Sequence, residues 1–524
     1  MGGVQAPAPA PTRNNYKRCA NNTNSNWWLD PALRWNVFHC IGLCGTLFFN
    51  GYDGSLFNGL QTIDAWQEFF HHPKGNTLGL MNSAALFPGL VAPYFAEMIA
   101  SRFGRRWAVW TGIAINSAGA IVNSAATSLG MYIAGRALMG VGISMGLTIA
   151  PTLLQEFAHP RFRAQIGSLY TTIYYIAAVI SASICLGTRS LNGSKSWRIP
   201  CYLQLVGPVA TLLMTVTMPE SPRWLAKNGR AEEALQVLVK YHTNGGEADE
   251  LVLLEHQEIL RTLQAEAELE QGGYLDYLKP NNRHRLFILV AIAIGTNWVG
   301  NGIVSYYLSP ILNNLGIKST RQQACVNLGL QCWNLVVSTT AALSVEKVGR
   351  RPLWLLSTVG MLFSFSIVMA LSGSYAKEGT KSLGIAVIPF LFIYFGFYTI
   401  AWTPLSNMYS VEILPYTLRT KGQAIYNIVQ GSANAVNQWV NPIILSAISW
   451  KYYGVYVAIL AVYSVLIYFG FPETKGLTIE EIDGIFDGNN AVRRARAAIP
   501  VDGEAEAVTF HVEAADKLTR EEGA

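Results

Sequence analysis

Apolar residues in this chain gather into twelve long runs instead of alternating with charges. Runs with few or no charged residues cover 37–59, 78–98, 107–127, 130–152, 166–187, 199–218, 286–312, 325–345, 352–374, 384–408, 422–447 and 452–471. Each reaches the roughly 20 residues that an α-helix needs to cross a hydrocarbon core. A large soluble protein would intersperse charged positions within such windows to face water. The pattern predicts an all-α membrane protein with twelve spans.

Polar stretches divide the runs into units. Residues 1–35 are polar and rich in Pro and Asn and read as a cytoplasmic tail of disordered composition, not a cleaved signal peptide. Residues 36–218 and 286–472 hold six runs each, and the charged stretch 219–285 links them. Within the linker, Arg230–His242 and Glu247–Glu270 carry Ala, Leu and Glu at helical spacing, predicting short amphipathic helices at the membrane face. The tail, 473–524, is expected to begin with a short helix at Thr478–Ile482.

The two six-run units resemble each other. Ser101-Arg102-Phe103-Gly104-Arg105-Arg106 recurs as Glu346-Lys347-Val348-Gly349-Arg350-Arg351. Glu156 and Arg163, seven residues apart, recur as Glu412 and Arg419; Pro219-Glu220-Ser221 recurs as Pro472-Glu473-Thr474. Three pairs in the same order, each roughly 250 residues apart, mark a duplicated unit. A duplicated membrane unit is the build of a transporter whose site lies between the halves.

Composition fits this setting: 51% of residues are hydrophobic and only 14% charged, against about a quarter charged in soluble domains. The net charge of +5 matters less than its placement. Basic residues follow spans two, four, eight and ten (Arg102, Arg105, Arg106; Arg161, Arg163; Lys347, Arg350, Arg351; Arg419, Lys421). Short basic loops stay in the cytoplasm, so both termini are expected there. No basic stripe with interleaved aromatics suggests nucleic acid. The seven cysteines show no CxxC spacing, so neither metal nor cofactor is expected; Cys185 and Cys201 flank one outer loop and could be bridged. Asn192-Gly193-Ser194 in that loop is a glycosylation triplet.

A few polar residues stand out because the membrane makes them costly. Asp53 lies inside span one, in Phe49-Asn50-Gly51-Tyr52-Asp53-Gly54, and Arg136 lies early in span four. A carboxylate binds protons more tightly when buried and less tightly beside a cation. An Asp53–Arg136 pair could thus couple protonation to conformation; the alternatives are a helix break stabilised by Asp53 and an Arg136 that snorkels. Span seven carries Asn297, Trp298, Asn301, Tyr306 and Tyr307, with the two asparagines on one helix face. Asn334, Trp402, Asn407, Gln430 and Asn434 extend this pattern to spans eight, ten and eleven. Amides that donate and accept, beside aromatic faces, suit a polyhydroxy ligand, though amides also join helices. The repeated loops, Glu346 among their residues, suit a gate in which Arg102, Arg105, Arg106, Arg350 and Arg351 would pair with Glu156 or Glu412 near Arg163 and Arg419. Such pairs are expected to hold an outward-open state.

These residues resemble the sugar porter family of the major facilitator superfamily over about Trp35 to Phe486. The resemblance rests on Gly51-Tyr52-Asp53, the two Arg-rich loops, Pro219-Glu220-Ser221-Pro222-Arg223-Trp224-Leu225 and Pro472-Glu473-Thr474-Lys475-Gly476. Trp298 through Tyr307, with Ala401-Trp402-Thr403-Pro404-Leu405, looks most like the fungal lactose-permease and disaccharide-transporter branch. The resemblance implies two pseudo-symmetric six-helix bundles, alternating access and a sugar site mostly in the second half. It further implies Asp53 as proton acceptor with Arg136 as its modulator, and sugar contacts at Asn297, Asn334, Asn407 and Asn434. Ser101, Thr171, Thr296-Asn297 and Asn407 depart from the residues usual in hexose carriers.

The expected protein is therefore a monomeric sugar:proton symporter of the plasma membrane, taking a disaccharide such as lactose or cellobiose. A hexose or specialised-metabolite carrier and a non-transporting sugar sensor are the alternatives. Nothing in the sequence suggests an enzyme.

Overall fold

The computed structural model describes residues 21–24, 26–244, 246–268, 273–414, 418–475 and 486. These residues fold into helices and connecting turns. In the first half they are α1 (Pro31–Leu60), α2 (Asp64–Phe69), α3 (Gly75–Ser83), α4 (Leu86–Gly89), α5 (Ala92–Phe103), α6 (Arg105–Ser124), α7 (Leu129–Phe157), α8 (Arg163–Thr188), α9 (Lys195–Leu203) and α10 (Val206–Thr215). The linker holds α11 (Pro222–Lys227), α12 (Ala231–His242) and α13 (Glu250–Glu268). The second half contains α14 (Pro280–Trp298), α15 (Asn301–Asn314), α16 (Thr320–Val348), α17 (Arg350–Glu378), α18 (Lys381–Ala401), α19 (Leu405–Glu412), α20 (Arg419–Ile448) and α21 (Tyr452–Gly470).

Joined end to end where they are only kinked, these helices make twelve rods in two groups of six. The second rod is α3–α5, the sixth α9–α10, the seventh α14–α15 and the tenth α18–α19. Large apolar side chains face outward, among them Leu213, Phe363 and Phe469, all more than half exposed. In a protein with this composition such a belt is the lipid-facing surface. Among the described residues, seven runs are long and apolar enough by themselves to cross a membrane, and one of them, Lys421–Gly470, contains two rods. In α16, Gln323, Asn327, Gln331 and Asn334 recur at three- and four-residue intervals and are all buried, so this helix turns a polar stripe inward.

The first helix starts at Pro31, ahead of its apolar run, because proline suits a helix's first turn and the polar residues to Asn36 continue the helix. Cys185 and Cys201 are buried free thiols rather than a bridge. The Thr478–Ile482 segment lies outside the described residues.

One face is closed by contacts between the halves. At the face away from the basic loops, hydrogen bonds join the two halves: Asn58 Nδ2 donates to Asn327 Oδ1 (2.9 Å), Gln61 Nε2 to the Tyr306 carbonyl (2.8 Å) and Asn82 Nδ2 to Tyr307 OH (3.0 Å). Trp439 donates to Asn76 (2.7 Å) and Arg189 to Thr320 (2.9 Å) at the same face.

Candidate functional site

In the first half one ion pair dominates the interior. Asp53 on α1 and Arg136 on α7 meet in a two-point contact, Nη1–Oδ1 at 3.1 Å and Nη2–Oδ2 at 3.4 Å. Their side chains are 10% and 5% exposed, so Arg136 does not snorkel to an interface. The guanidinium also lies over the Phe57 ring, 4.9 Å from its centroid, which favours a cation. Removing either partner of such a pair strands a buried charge at a cost of about 3–5 kcal/mol. Protonating Asp53 removes the same attraction without removing an atom. The pair is thus a site where a proton and an ion-pair contact exclude each other.

The second half is built from neutral groups. Its seventh rod breaks between α14 and α15 at Gly300, whose φ of +105° is left-handed and strained for other L residues. A Cβ there would also lie 3.1 Å from Tyr394 OH. The break exposes backbone, and side chains collect around it. Asn301 Nδ2 donates to Tyr398 OH (2.9 Å), and Tyr398 OH donates to the Thr296 carbonyl (3.1 Å). Asn297 Nδ2 donates to Thr296 Oγ1 and to the Gln430 carbonyl, both at 3.2 Å. Gln430 Nε2 reaches Tyr426 OH at 3.3 Å, and Asn434 Oδ1 accepts from Gln438 Nε2 at 3.0 Å.

Among the described residues, the buried Oδ1 atoms of Asn301, in this network, and of Asn334, on α16, have no partner. A buried acceptor left unpaired costs about 1–3 kcal/mol, so these atoms are suited to a ligand's hydroxyl or to water. Tyr398, Gln438 and three members of the α16 stripe (Gln323, Asn327 and Gln331) were not among the sequence candidates, whereas Asn334 was. The four amides at helical spacing in α16 were the available signal.

Other candidates sit elsewhere. Trp402 is 1% exposed and packs edge-on against Trp354 (centroids 4.7 Å apart) and Tyr463 (5.6 Å), with its Nε1 donating to Thr358. It is a core residue of the second bundle, not a wall of the site. Trp298 Nε1 donates to the Ala433 carbonyl (3.0 Å), tying α14 to α20. The Tyr306 carbonyl and the Tyr307 hydroxyl take part in the closure away from the basic loops, while the Tyr306 side chain lies beside Gln438 and toward Asp53 and Arg136. Asn407 is exposed on α19, next to Ser406, and Asn192 is exposed between α8 and α9.

At the basic face the duplication reappears atom for atom. Gly104 and Gly349 take φ of +112° and +101°, turning the chain sharply into the next helix. Glu220 accepts from the backbone N–H groups of Arg105 (2.8 Å) and Arg106 (3.2 Å); Glu473 does so from Arg350 (2.9 Å) and Arg351 (3.0 Å). A carboxylate at a helix N-terminus satisfies donors that the helix leaves free. Burial pushes Glu473 upward, but the N–H donors of Arg350, Lys475, Arg351 and Thr474 outweigh it and hold its pKa below the ordinary value.

The side chains repeat as well: Arg105–Glu156 at 2.8 Å matches Arg350–Glu412 at 2.9 Å. Ser221 and Thr474 each donate to that glutamate at 2.6 Å. Arg106 and Arg351 lie over Trp110 and Tyr468, and Arg102 over Phe103. Arg163 pairs instead with Glu255 of α13 (2.9 Å). Glu346 lies on α16 with its side chain outside the described residues, and Arg419 opens α20. The expectation that these pairs mark an outward-open state meets a difference: Arg105–Glu156 and Arg350–Glu412 are formed here while the opposite face is closed.

Two helical bundles with repeated loops, a broken helix and a polar interior define a secondary transporter. The chain belongs to the family described as "Sugar (and other) transporter", whose model matches residues 38–486. It is 26% identical over 505 residues to the "High-affinity glucose transporter 1" of Candida albicans, covering 92% of each chain. It is 28% identical over 459 residues to the "Arabinose-proton symporter" of Bacillus subtilis, covering 85% of this chain and 93% of that one. Among solved structures, the inward-open xylose transporter XylE of E. coli matches with a TM-score of 0.70 at 21% identity, over 85% of this chain and 98% of that chain. The protein is thus a multi-pass membrane sugar transporter of the major facilitator fold, not an enzyme.

Proposed function

We propose that the chain is a sugar:proton symporter working by alternating access, with the basic face and both termini in the cytoplasm and the protein in the plasma membrane. The observation that carries this reading is the isolated Asp53–Arg136 pair. The bonds that close the face away from the basic loops support reading the described state as inward-facing. In that state Asp53 is ionised and held by Arg136. In the outward-facing state, protonation from outside would release Arg136 and let the sugar-loaded carrier turn inward, and loss of that proton inside would restore the pair.

The sugar binds at Asn297, Asn301, Asn334, Gln430 and Asn434, where two acceptors await donors. The loop ion pairs serve as hinges that each half carries through the cycle. For the substrate, the relatives named above carry monosaccharide names, whereas the disaccharide reading rests on the Trp298–Tyr307 and Ala401–Leu405 resemblance. Competition of labelled glucose uptake by xylose, arabinose, lactose and cellobiose, with and without a protonophore, separates these. Accumulation unaffected by the protonophore would remove the symport reading.

A further inference from the structure

We propose that His242, at the end of α12, is a pH-responsive latch that in its protonated form clamps the linker helices onto the first bundle. Its ring is 1% exposed. Nδ1 lies 2.8 Å from Glu255 Oε2 of α13, and Nε2 lies 3.1 Å from the carbonyl of Phe157, the last residue of α7. A carbonyl can only accept, and so can an ionised carboxylate. Glu255 is ionised because its other oxygen holds Arg163 of α8 at 2.9 Å. Burial pushes the Glu255 carboxyl upward, but His242 and Arg163 outweigh it and keep its pKa below the ordinary value. Both ring nitrogens of His242 must then carry hydrogen, which only the imidazolium does. The cation also sits at the C-terminus of α7, where the helix dipole favours positive charge.

The neighbours sharpen this assignment. His159, in the turn between α7 and α8, lies 5.0 Å from the His242 ring centroid to centroid. Its Nδ1 accepts the Arg161 N–H at 3.2 Å, so that ring is neutral. Burial, then repulsion from His242, Arg161 and Arg163, holds its pKa well below the ordinary value. The groups facing His242 are therefore Glu255, Arg163, Arg161 and neutral His159, with Lys240 and Tyr241 on its own helix. One anion lies between Arg163 and His242 and binds α13, α12 and α8 into one cluster.

Histidine is the side chain that changes charge between about pH 5 and 8. When His242 loses a proton, one of its two contacts loses its hydrogen, and the clamp weakens as pH rises. The consequence for transport, which rests on the symport reading, is feedback. Each cycle delivers a proton to the face where His242 sits, and acid there would tighten the linker and slow return.

Hydrogen exchange of backbone amides in residues 231–268, on the full chain in lipid nanodiscs at pH about 6 and about 8, tests the latch. With intrinsic rates corrected, wild-type protection is expected to fall about tenfold at the higher pH, the scale of one charge-assisted hydrogen bond. His242→Gln is expected to show low protection at both values. If that variant does not fold, Glu255→Gln, which removes the counter-charge, is expected to be equally flat. Equal wild-type protection at both pH values would overturn the proposal, as would a pH dependence that survives in the variant. Because the readout needs no sugar, it stands apart from the outcome of the uptake experiments.

Discussion

The two bundles share a backbone plan and the same loop device, yet their interiors do opposite chemistry. The first holds a cation and an anion in an apolar wall, at Asp53 and Arg136. The second holds neutral amides and phenols around a broken helix, from Asn297 to Gln438. A proton is felt by what it does to charge, so it is best read where a single pair stands alone. A sugar is neutral and must find many donors and acceptors that need no counter-ion. Duplication supplied one frame, and the halves diverged by what their inward faces could hold.

Several substitutions would break or sharpen that contrast. The largest effect is expected from Arg136→Leu, which leaves Asp53 unpaired at about 3–5 kcal/mol and should deplete folded protein at the surface. Adding Asp53→Asn should restore that protein, because no buried charge remains. If the double variant is as depleted as the single, the cost is packing and not charge. Asp53→Asn by itself should abolish accumulation against a gradient while sugar exchange persists, and equal accumulation would rule out coupling through this residue.

Trp402→Ala should cost about 3–5 kcal/mol as a core truncation, lowering surface protein without altering the apparent affinity of what remains. Asn301→Ala and Asn334→Ala should do the reverse. Apparent KM should rise about three- to tenfold, the worth of one neutral hydrogen bond, while melting temperature holds or rises as an unpaired acceptor disappears. Unchanged KM in both would move the sugar elsewhere. The smallest effect belongs to Arg105→Ala and Arg350→Ala. Partly exposed pairs are worth about 0–1 kcal/mol, so turnover should drop only modestly and similarly in both, as measured by exchange rates.

Much of this was legible in the sequence because membranes punish exceptions. Asp53 and Arg136 stood out as charges within apolar runs, and the Arg-rich loops stood out by repetition. Trp402 misled because a tryptophan beside a proline at a helix break looks the same whether it faces a cavity or a core; only its packing on Trp354 and Tyr463 decides. On α16 only Asn334 was singled out; Gln323, Asn327 and Gln331 were missed for the opposite reason, since amides spread over a helix look unremarkable until their burial is known. His242 and Glu255 could not be read in sequence. They lie in a charged linker, where a histidine and a glutamate are ordinary, and only the docking of α12 and α13 onto α7 and α8 makes them partners.

The bonds that shut the outer face run between amides, phenol and indole groups, with one guanidinium on a threonine. A seal of that kind has little for dissolved ions to screen and nothing with a weak-acid titration near neutrality. Opening should therefore be indifferent to brine or sourness in the surroundings, leaving the fuel reaction at Asp53 as the step that tells the carrier how acid the medium is.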